Sequence, residues 1–218
     1  MKGLLVKDIR FLMGQKASLL VCLGLGVYFL LTGADLTYAM VFSMMMAALL
    51  STSSISYDAF DNGMAFLLTL PIQKTTYVVS KYIVSILVAV VCGAAISVAA
   101  VICNALGVEG VDLSMLGGGL VMAVIMAVVL LTIMIPIYII FGGEKARFAM
   151  MAIFGIAVAV GYIFSRIFGD MEEKIDSLIV KLEAMSNIQL ALTGLGVMVV
   201  LFAISIGITI KVLERKEY

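Results

Sequence analysis

Apolar residues form long uninterrupted runs along this chain, separated by short segments that carry most of its polar and charged residues. Charge-free apolar runs of roughly 18 residues or more are long enough to cross a bilayer as helices. The runs do not alternate with polar positions, which favours helices over the strands of a membrane barrel. The pattern predicts an all-α polytopic membrane protein. Its six transmembrane helices are predicted at about residues 17–34, 36–57, 82–106, 115–141, 148–166 and 189–211.

The basic residues predict the orientation of these spans. Lys and Arg collect on the cytoplasmic side of membrane proteins, close to the ends of the spans. Of the 14 basic residues, 11 fall at the two termini, in the second-to-third connection and in the fourth-to-fifth connection. The opposite side has three basic and eight acidic residues. Both termini are therefore predicted to be cytoplasmic, and residues 1–218 are predicted to form one transmembrane domain of a multi-pass plasma-membrane protein.

The composition argues against several function classes. Hydrophobic residues make up 64% of the chain and charged residues 13%, against about 25% charged residues in soluble domains. Histidine, the commonest general base and metal ligand, is absent. The three cysteines fall inside predicted spans without a Cys-x-x-Cys pair and are interpreted as small buried hydrophobic residues. No metal site and no catalytic residue is predicted, and the zero net charge argues against a nucleic-acid partner.

Two further features point to an energy source outside this chain. The sequence has no Gly-x-x-x-x-Gly-Lys motif and no soluble region long enough for a nucleotide-binding domain. Any ATP hydrolysis is therefore expected in another chain, and this chain is not predicted to be an enzyme by itself. No charged residue lies in the middle of a predicted span, although ion-coupled carriers usually keep one there. A secondary carrier is therefore the weaker alternative.

Residues 2–16 have the spacing of an amphipathic helix. Leu12 falls on its apolar side, and Lys7 and Arg10 fall on the opposite side. Such a helix can lie in the cytoplasmic interface with its cations toward anionic headgroups. We predict an N-terminal elbow helix that anchors the bundle and contacts a partner. The alternative is a basic N-terminus that only sets the topology.

A second amphipathic pattern lies on the side predicted to be external, at residues 170–186. Ile175, Leu178 and Leu182 share one helical face, and the acidic residues lie largely off it. An external amphipathic helix is therefore predicted before the last span. It either rests on the bilayer or on the bundle, or it forms a lid or dimer contact over an exit path.

Methionines and a serine of the second span are candidates for lining a cargo path. Met44 and Met45 lie mid-span, and Ser53 lies near the predicted cytoplasmic end. Methionine adapts its shape and suits surfaces that repack around variable cargo. The alternatives are methionines that face lipid or fill the core, and a serine that hydrogen-bonds back to its own helix.

Residues 56–82 form one of the few segments that mix polar and apolar positions, and they lie between two predicted spans. Proline is well tolerated in the first turn of a helix, so Pro71 is predicted to open a short helix through Tyr77. That helix runs on toward Lys81 and the third span. An ordinary cytoplasmic loop is the alternative, although the length and apolar content of the segment argue against it.

The order of residues in this segment resembles the permease subunits of ABC-2 (type-2 ATP-binding-cassette) exporters. In that family an acidic, glycine-containing stretch leads to a Leu-x-x-Leu-Pro-hydrophobic-x-Lys/Arg motif, and a Lys-Tyr pair then opens the next span. The matching residues here are Asp61, Gly63, Leu67, Leu70, Pro71, Ile72, Lys74, Lys81 and Tyr82. Departures occur at Gln73, where a small polar residue is more usual, and at residues 75–77, where a charge is more usual.

The resemblance implies which residues touch a partner. In the family a short helix in this region is the coupling helix, which docks in a groove of the ATPase subunit. The resemblance assigns that role here to Leu70, Pro71, Ile72, Gln73, Lys74, Thr75, Thr76 and Tyr77. It also implies that residues 2–16 form the family's elbow helix.

The resemblance further implies the membrane subunit of an ATP-driven exporter in a bacterial plasma membrane. Two separate ATPase chains would hold ATP and magnesium, and a second copy or a sister permease would complete the transporter. No cofactor is expected in this chain. The favoured cargo is an amphipathic or hydrophobic peptide, such as a toxin or bacteriocin-like peptide, with lipid-like molecules or drugs as the alternative. A non-transporting membrane scaffold and a secondary carrier also stay open as functions.

Overall fold

A computed structural model describes residues 2–60, 63–69, 73–108, 111–167 and 187–215. These residues form helices joined by turns, and no strand occurs among them, so the predicted all-α class is confirmed. The helices are α1 (Lys2–Gly14), α2 (Lys16–Leu31), α3 (Leu36–Ala59), α4 (Gly63–Thr69), α5 (Lys74–Ala105), α6 (Leu116–Ile167) and α7 (Asn187–Arg215). A short 3-10 turn, Leu113–Met115, precedes α6.

Among the described residues, three helices are long and apolar enough to cross a membrane. They are α3, α5 and the segment Leu113–Gly143, which match the second, third and fourth predicted spans. Helices α1 and α2 together make a fourth if the bent pair is one span, and Phe148–Tyr162 is a shorter apolar helix within the fifth predicted span. The total of six spans and their orientation stay predictions.

Helices α1 and α2 are separated by a 70° bend. The bend falls at Gln15, whose φ of −91° and ψ of 39° are not helical. The Gln15 backbone N–H donates to the Leu12 carbonyl (2.9 Å), which closes the last turn of α1. The chain therefore turns sharply where the elbow is predicted, while the placement of α1 in a membrane interface stays a prediction.

Helix α3 packs against α2, α5 and α6. Glycines allow two close approaches in this part of the bundle. A Cβ on Gly26 would lie 2.5 Å from the Ile96 side chain and would clash with Ser43. A Cβ on Gly93 would lie 2.6 Å from the Met44 sulfur. Small residues at helix contacts let backbones approach closely, so glycine is needed at both positions.

Helix α6 is broken near the end of its long apolar stretch. Gly142 has a φ of 76°, a left-handed conformation that side chains other than glycine rarely adopt. The next residue, Gly143, lies so close to α3 that a Cβ there would be 2.6 Å from the Ser56 Cβ. The two glycines therefore turn α6 and bring it onto the end of α3.

Aspartates cap two elements at the opposite end of α3 from the Ser56 contact. The Asp35 carboxylate accepts from the Thr37 N–H (2.9 Å) at the start of α3, as N-cap residues do. Asp112 accepts from the Ser114 N–H (2.9 Å) at the 3-10 turn. This bond and a hydrogen bond to the Ser114 side chain lower the pKa of Asp112.

A candidate coupling site at a buried charge cluster

The described part of the predicted coupling segment, residues 73–77, forms the N-cap and the first turn of α5. Gln73 is the extended N-cap residue, and its carbonyl accepts from the Tyr77 N–H (3.2 Å). Lys74 to Tyr77 are therefore the first turn of a 32-residue helix. A short helix, α4, lies earlier in the chain, at Gly63–Thr69. Leu70, Pro71 and Ile72 lie outside the described residues.

Four charged side chains from three helices meet beside this first turn of α5, and they form the charge cluster: Lys7, Asp8, Asp58 and Lys81. The Lys81 Nζ lies 2.8 Å from the Asp8 Oδ1 and 2.6 Å from the Asp58 Oδ2. The Lys7 Nζ lies 2.5 Å from the Asp58 Oδ1 and 3.6 Å from the Asp8 Oδ1. Lys81, Asp8 and Asp58 are 2%, 1% and 5% exposed, whereas Lys7 is 37% exposed.

Neutral polar groups complete the charge cluster. The Tyr77 hydroxyl donates to the Asp58 Oδ2 (3.0 Å). The Ser54 hydroxyl donates to the Asp8 Oδ1 (3.1 Å) and accepts from the Lys81 Nζ (2.6 Å). Among the described residues, the Asp8 Oδ2 is a buried atom with no hydrogen-bond partner.

The composition of the charge cluster explains why it can be buried. Two lysines and two aspartates have no net formal charge, and most of their polar atoms are hydrogen-bonded. A buried charge is tolerated only when it is paired and hydrogen-bonded in this way. Because the members come from α1, α3 and α5, a relative movement of these helices must separate at least one ion pair. The charge cluster therefore holds the middle of α1, the end of α3 and the early turns of α5 in one arrangement.

The sequence pattern does not predict that these charged side chains meet. It places Asp58 and Lys81 at or beyond the ends of predicted spans, and it assigns no role to Asp8. The spacing does carry a signal, since Tyr77 and Lys81 are four residues apart and so share a face of α5. Asp8 is also the only acidic residue before Asp35.

The buried face of α1 also differs from the predicted apolar face. Leu4, Asp8 and Leu12 are its buried residues, so Leu12 is the one predicted elbow residue that lies on the buried face. Arg10 is exposed and Lys7 is partly exposed. The reason is that Asp8 pairs with Lys81, so the side of α1 that enters the protein is set by charge as well as by apolar residues.

Lys74 ties the first turn of α5 to the end of α7. Its Nζ donates to the carbonyl oxygens of Leu213 (2.9 Å) and Glu214 (3.3 Å). The last carbonyls of a helix lack intrahelical partners and carry a partial negative charge, so a lysine is favourable there. The start of α5 is thus joined to α7 as well as to α1 and α3.

A second connection to α7 lies further along α5, next to Lys81. The Tyr82 hydroxyl is hydrogen-bonded to the Ser205 hydroxyl (2.7 Å) and lies 3.3 Å from the Thr209 hydroxyl. Ser205 in turn donates to the Thr132 carbonyl of α6 (2.6 Å). A chain of hydroxyl groups therefore links α5, α7 and α6 just beyond the charge cluster.

The predicted cargo-path residues are not brought together. Met44 is fully buried against Gly93, and Met45 is half-buried. Ser53 lines a cavity, and its hydroxyl donates to the Leu50 carbonyl (2.6 Å), so it does bond back to its own helix. The predicted external-helix residues Ile175, Leu178 and Leu182 lie outside the described residues. In the part of the chain that is described, no three acidic, cysteine or histidine side chains are grouped as a metal site would need.

These features are those of a helical membrane protein with several long apolar helices and a neutral charge cluster buried between α1, α3 and α5. The chain belongs to the ABC-2 transporter family, because residues 3–214 match the family described as ABC-2 family transporter protein. Comparison with curated proteins and with solved structures gave no match. Permeases of this family generally work with an ABC ATPase partner.

Proposed function

We propose that this chain is the membrane-spanning subunit of an ATP-driven exporter, and that the charge cluster carries movements of the ATPase into the helices. The observation that supports this proposal is the position of Lys81. It lies within two turns of Lys74, the first helical residue of the predicted coupling segment, and it is the ion-pair partner of both buried carboxylates. A push on the start of α5 therefore acts on α1 and α3 through its ion pairs.

Exposure separates two roles within the predicted coupling segment. Gln73 is exposed, and Lys74, Thr75 and Thr76 are half-buried, so they leave surface for a partner. Tyr77 is only 2% exposed, and its hydroxyl is bonded to Asp58. We propose that residues 70–76 dock and that Tyr77 transmits.

The proposed assembly has two ATPase chains, which hold ATP and magnesium, and a second copy or a sister permease. It lies in a bacterial plasma membrane with both termini of this chain in the cytoplasm. The proposed cargo is an amphipathic or hydrophobic peptide moved outward, with lipid-like molecules or drugs as the alternative. The low charge of the predicted spans supports an apolar cargo.

A secondary carrier and a non-transporting scaffold are less well supported. Carriers keep an ionisable group on the ion pathway within the membrane. The described buried carboxylates, Asp8 and Asp58, instead lie on segments predicted to meet the cytoplasm and are paired with lysines. A scaffold alone gives no reason for tying the start of α5 to three other helices.

The test separates docking from transmission. The full chain is co-expressed and purified with an ABC ATPase of the same organism, as the original sequence and as three variants. Pro71→Gly combined with Ile72→Asp is expected to lose the ATPase. Asp8→Asn is expected to keep the ATPase but to lose most of the cargo-stimulated ATP hydrolysis. Leu106→Asp, a change at an exposed residue just beyond the opposite end of α5, is the control and should change neither.

Two results would contradict the proposal. An intact complex in the Pro71 and Ile72 variant would show that the ATPase docks elsewhere. Unchanged stimulation in the Asp8→Asn variant, with the protein folded, would show that the charge cluster does not transmit movement.

A further inference from the structure

A cavity of about 520 Å³ lies between α2, α3 and α6, apart from the charge cluster. Its volume falls within the roughly 300–1,000 Å³ of pockets that bind drug-sized molecules. Residues of its wall include Ser18, Val21, Leu49, Ser53, Ser56 and Tyr138. Val21 is 59% exposed and Leu49 is 36% exposed, so the cavity opens sideways between the helices rather than into the core. We call it the lateral cavity.

The described residues that line the lateral cavity carry no charge. Its wall includes the hydroxyl-bearing side chains of Ser18, Ser56 and Tyr138. The Thr52 hydroxyl donates to the Leu49 carbonyl (2.7 Å). A few hydroxyl groups in a mostly apolar wall orient a ligand through hydrogen bonds. A ligand that suits this wall needs hydrogen-bonding groups but no charge.

The polar and apolar parts of the wall lie at different depths. Helices α2 and α3 run in opposite directions, joined by residues 32–35. Ser18 and Ser56 therefore lie toward the free ends of this hairpin, whereas Val21 and Met46 lie deeper along it. The lateral cavity thus offers hydroxyl groups at one end and apolar side chains at the other, which matches an amphipathic molecule.

We propose that the lateral cavity binds an uncharged amphipathic molecule that enters from the surrounding bilayer. Its polar group lies by Ser56 and Tyr138, and its apolar part lies by Val21 and Met46. The identification of this molecule as cargo at its first binding site rests on the proposed exporter function. The binding itself does not.

Helix α3 connects the lateral cavity to the charge cluster. Ser53 and Ser56 line the cavity, while Ser54 and Asp58 of the same turns bond to the charge cluster. Ser56 also touches Gly143 at the break in α6. An occupant that moves Ser56 therefore moves the helix end that holds Asp58. This arrangement would let cargo occupancy change the rate of ATP hydrolysis.

The test uses the absence of tryptophan from the sequence. Val21→Trp places one indole at the cavity mouth, and Val98→Trp places one on α5, at a residue that is 60% exposed against 59% for Val21. The full-length variants are reconstituted without ATPase in bilayer nanodiscs and titrated with N-phenylnaphthylamine, an uncharged probe with one N–H donor that accepts energy from indole. Saturable energy transfer is expected from Val21→Trp, and only a linear rise from bilayer partition is expected from Val98→Trp.

Two further measurements test the chemistry of the site. Adding Tyr138→Phe to Val21→Trp removes one hydroxyl and is expected to weaken probe binding about threefold to tenfold, the effect of one lost hydrogen bond. Anilinonaphthalene sulfonate, a charged analogue of the probe, is expected to give no saturable transfer because no described cation lines the cavity.

Equal transfer from the two tryptophan positions would overturn the proposal, as would equal affinity for the charged probe. Because the ATPase is absent, this result is independent of the exporter proposal. If the probe does not bind but the ATPase still co-purifies, the proposed ligand site in the lateral cavity is refuted and the exporter proposal stands. If the probe binds but no ATPase complex forms, the exporter proposal is refuted and the ligand site stands.

Discussion

Replacing Lys81 with methionine removes the cation on which the charge cluster is centred. Methionine has a similar length and no charge, so the packing volume is largely kept. Asp58 keeps Lys7 at 2.5 Å and the Tyr77 hydroxyl. Asp8 keeps only the Ser54 hydroxyl and the more distant Lys7 at 3.6 Å. The variant therefore leaves a carboxylate that is 1% exposed without a close counter-ion.

The size of the effect follows from burial. Breaking a buried ion pair by removing one partner destabilises a protein by about 3–5 kcal/mol, because the other charge stays buried. For a chain of this length, each kcal/mol lowers the melting temperature by about 2–4 °C. Lys81→Met is therefore expected to lower it by about 6–20 °C.

Two other variants provide the comparison. Lys7 is 37% exposed, so Lys7→Met loses an ion pair worth about 0–1 kcal/mol after solvent screening. The triple change Asp8→Leu, Asp58→Leu and Lys81→Met replaces the three buried charged side chains by apolar side chains of similar volume. Replacing a buried ion-pair network by well-packed apolar residues is often close to neutral, so most of the stability is expected to return.

The assay uses the three buried free cysteines, Cys22, Cys92 and Cys103. A maleimide dye that fluoresces on reaction with a thiol reports unfolding as these side chains become exposed, and each variant is heated in the same detergent. A Lys81→Met protein no less stable than Lys7→Met would refute the reasoning. A triple variant as unstable as Lys81→Met would refute it too, since the loss would then not come from an uncompensated charge.

The remaining predictions concern the helix contacts around the charge cluster. Lys74→Met loses the bonds to the last carbonyls of α7 and is expected to cost about 1 kcal/mol, a fall of about 2–4 °C in the same assay. Lys211→Met, at an exposed lysine of α7, is its control and should have no effect. Gly143→Ala places a Cβ 2.6 Å from that of Ser56 and is expected to cost about 1–3 kcal/mol. Gly161→Ala, where a Cβ meets nothing within 4 Å, should be neutral or stabilising, and equal effects of the two alanines would contradict the close packing.

The hydrophobic pattern predicts much of this fold because it is a local signal. Continuous apolar runs place α3, α5 and the first part of α6 close to their observed bounds. The start of α5 is less well predicted. Pro71 predicts a short helix through Tyr77 that runs on toward the third span. The described part of that stretch begins with the extended N-cap residue Gln73, and Lys74 to Tyr77 form the first turn of α5.

The charge cluster could not be predicted from local spacing. Lys7 reaches Asp58 across 51 residues, and Lys81 reaches Asp8 across 73 residues. Periodicity reports which face of a helix is apolar, but it does not report that a charge on that face is neutralised by another helix. For the same reason the spacing predicts Leu12 as a packing residue and misses Asp8.

The order in which the members of the charge cluster leave the ribosome has a consequence for assembly. Asp8 and Asp58 are synthesised before Lys81, their shared cation, which lies 23 residues after Asp58. At about 5–20 residues per second, that stretch takes roughly 1–5 seconds to make. During that interval α1, α2 and α3 cannot pack together with both Asp8 and Asp58 paired to a close lysine. Docking of α1 onto α3 with both carboxylates fully paired therefore has to wait for α5.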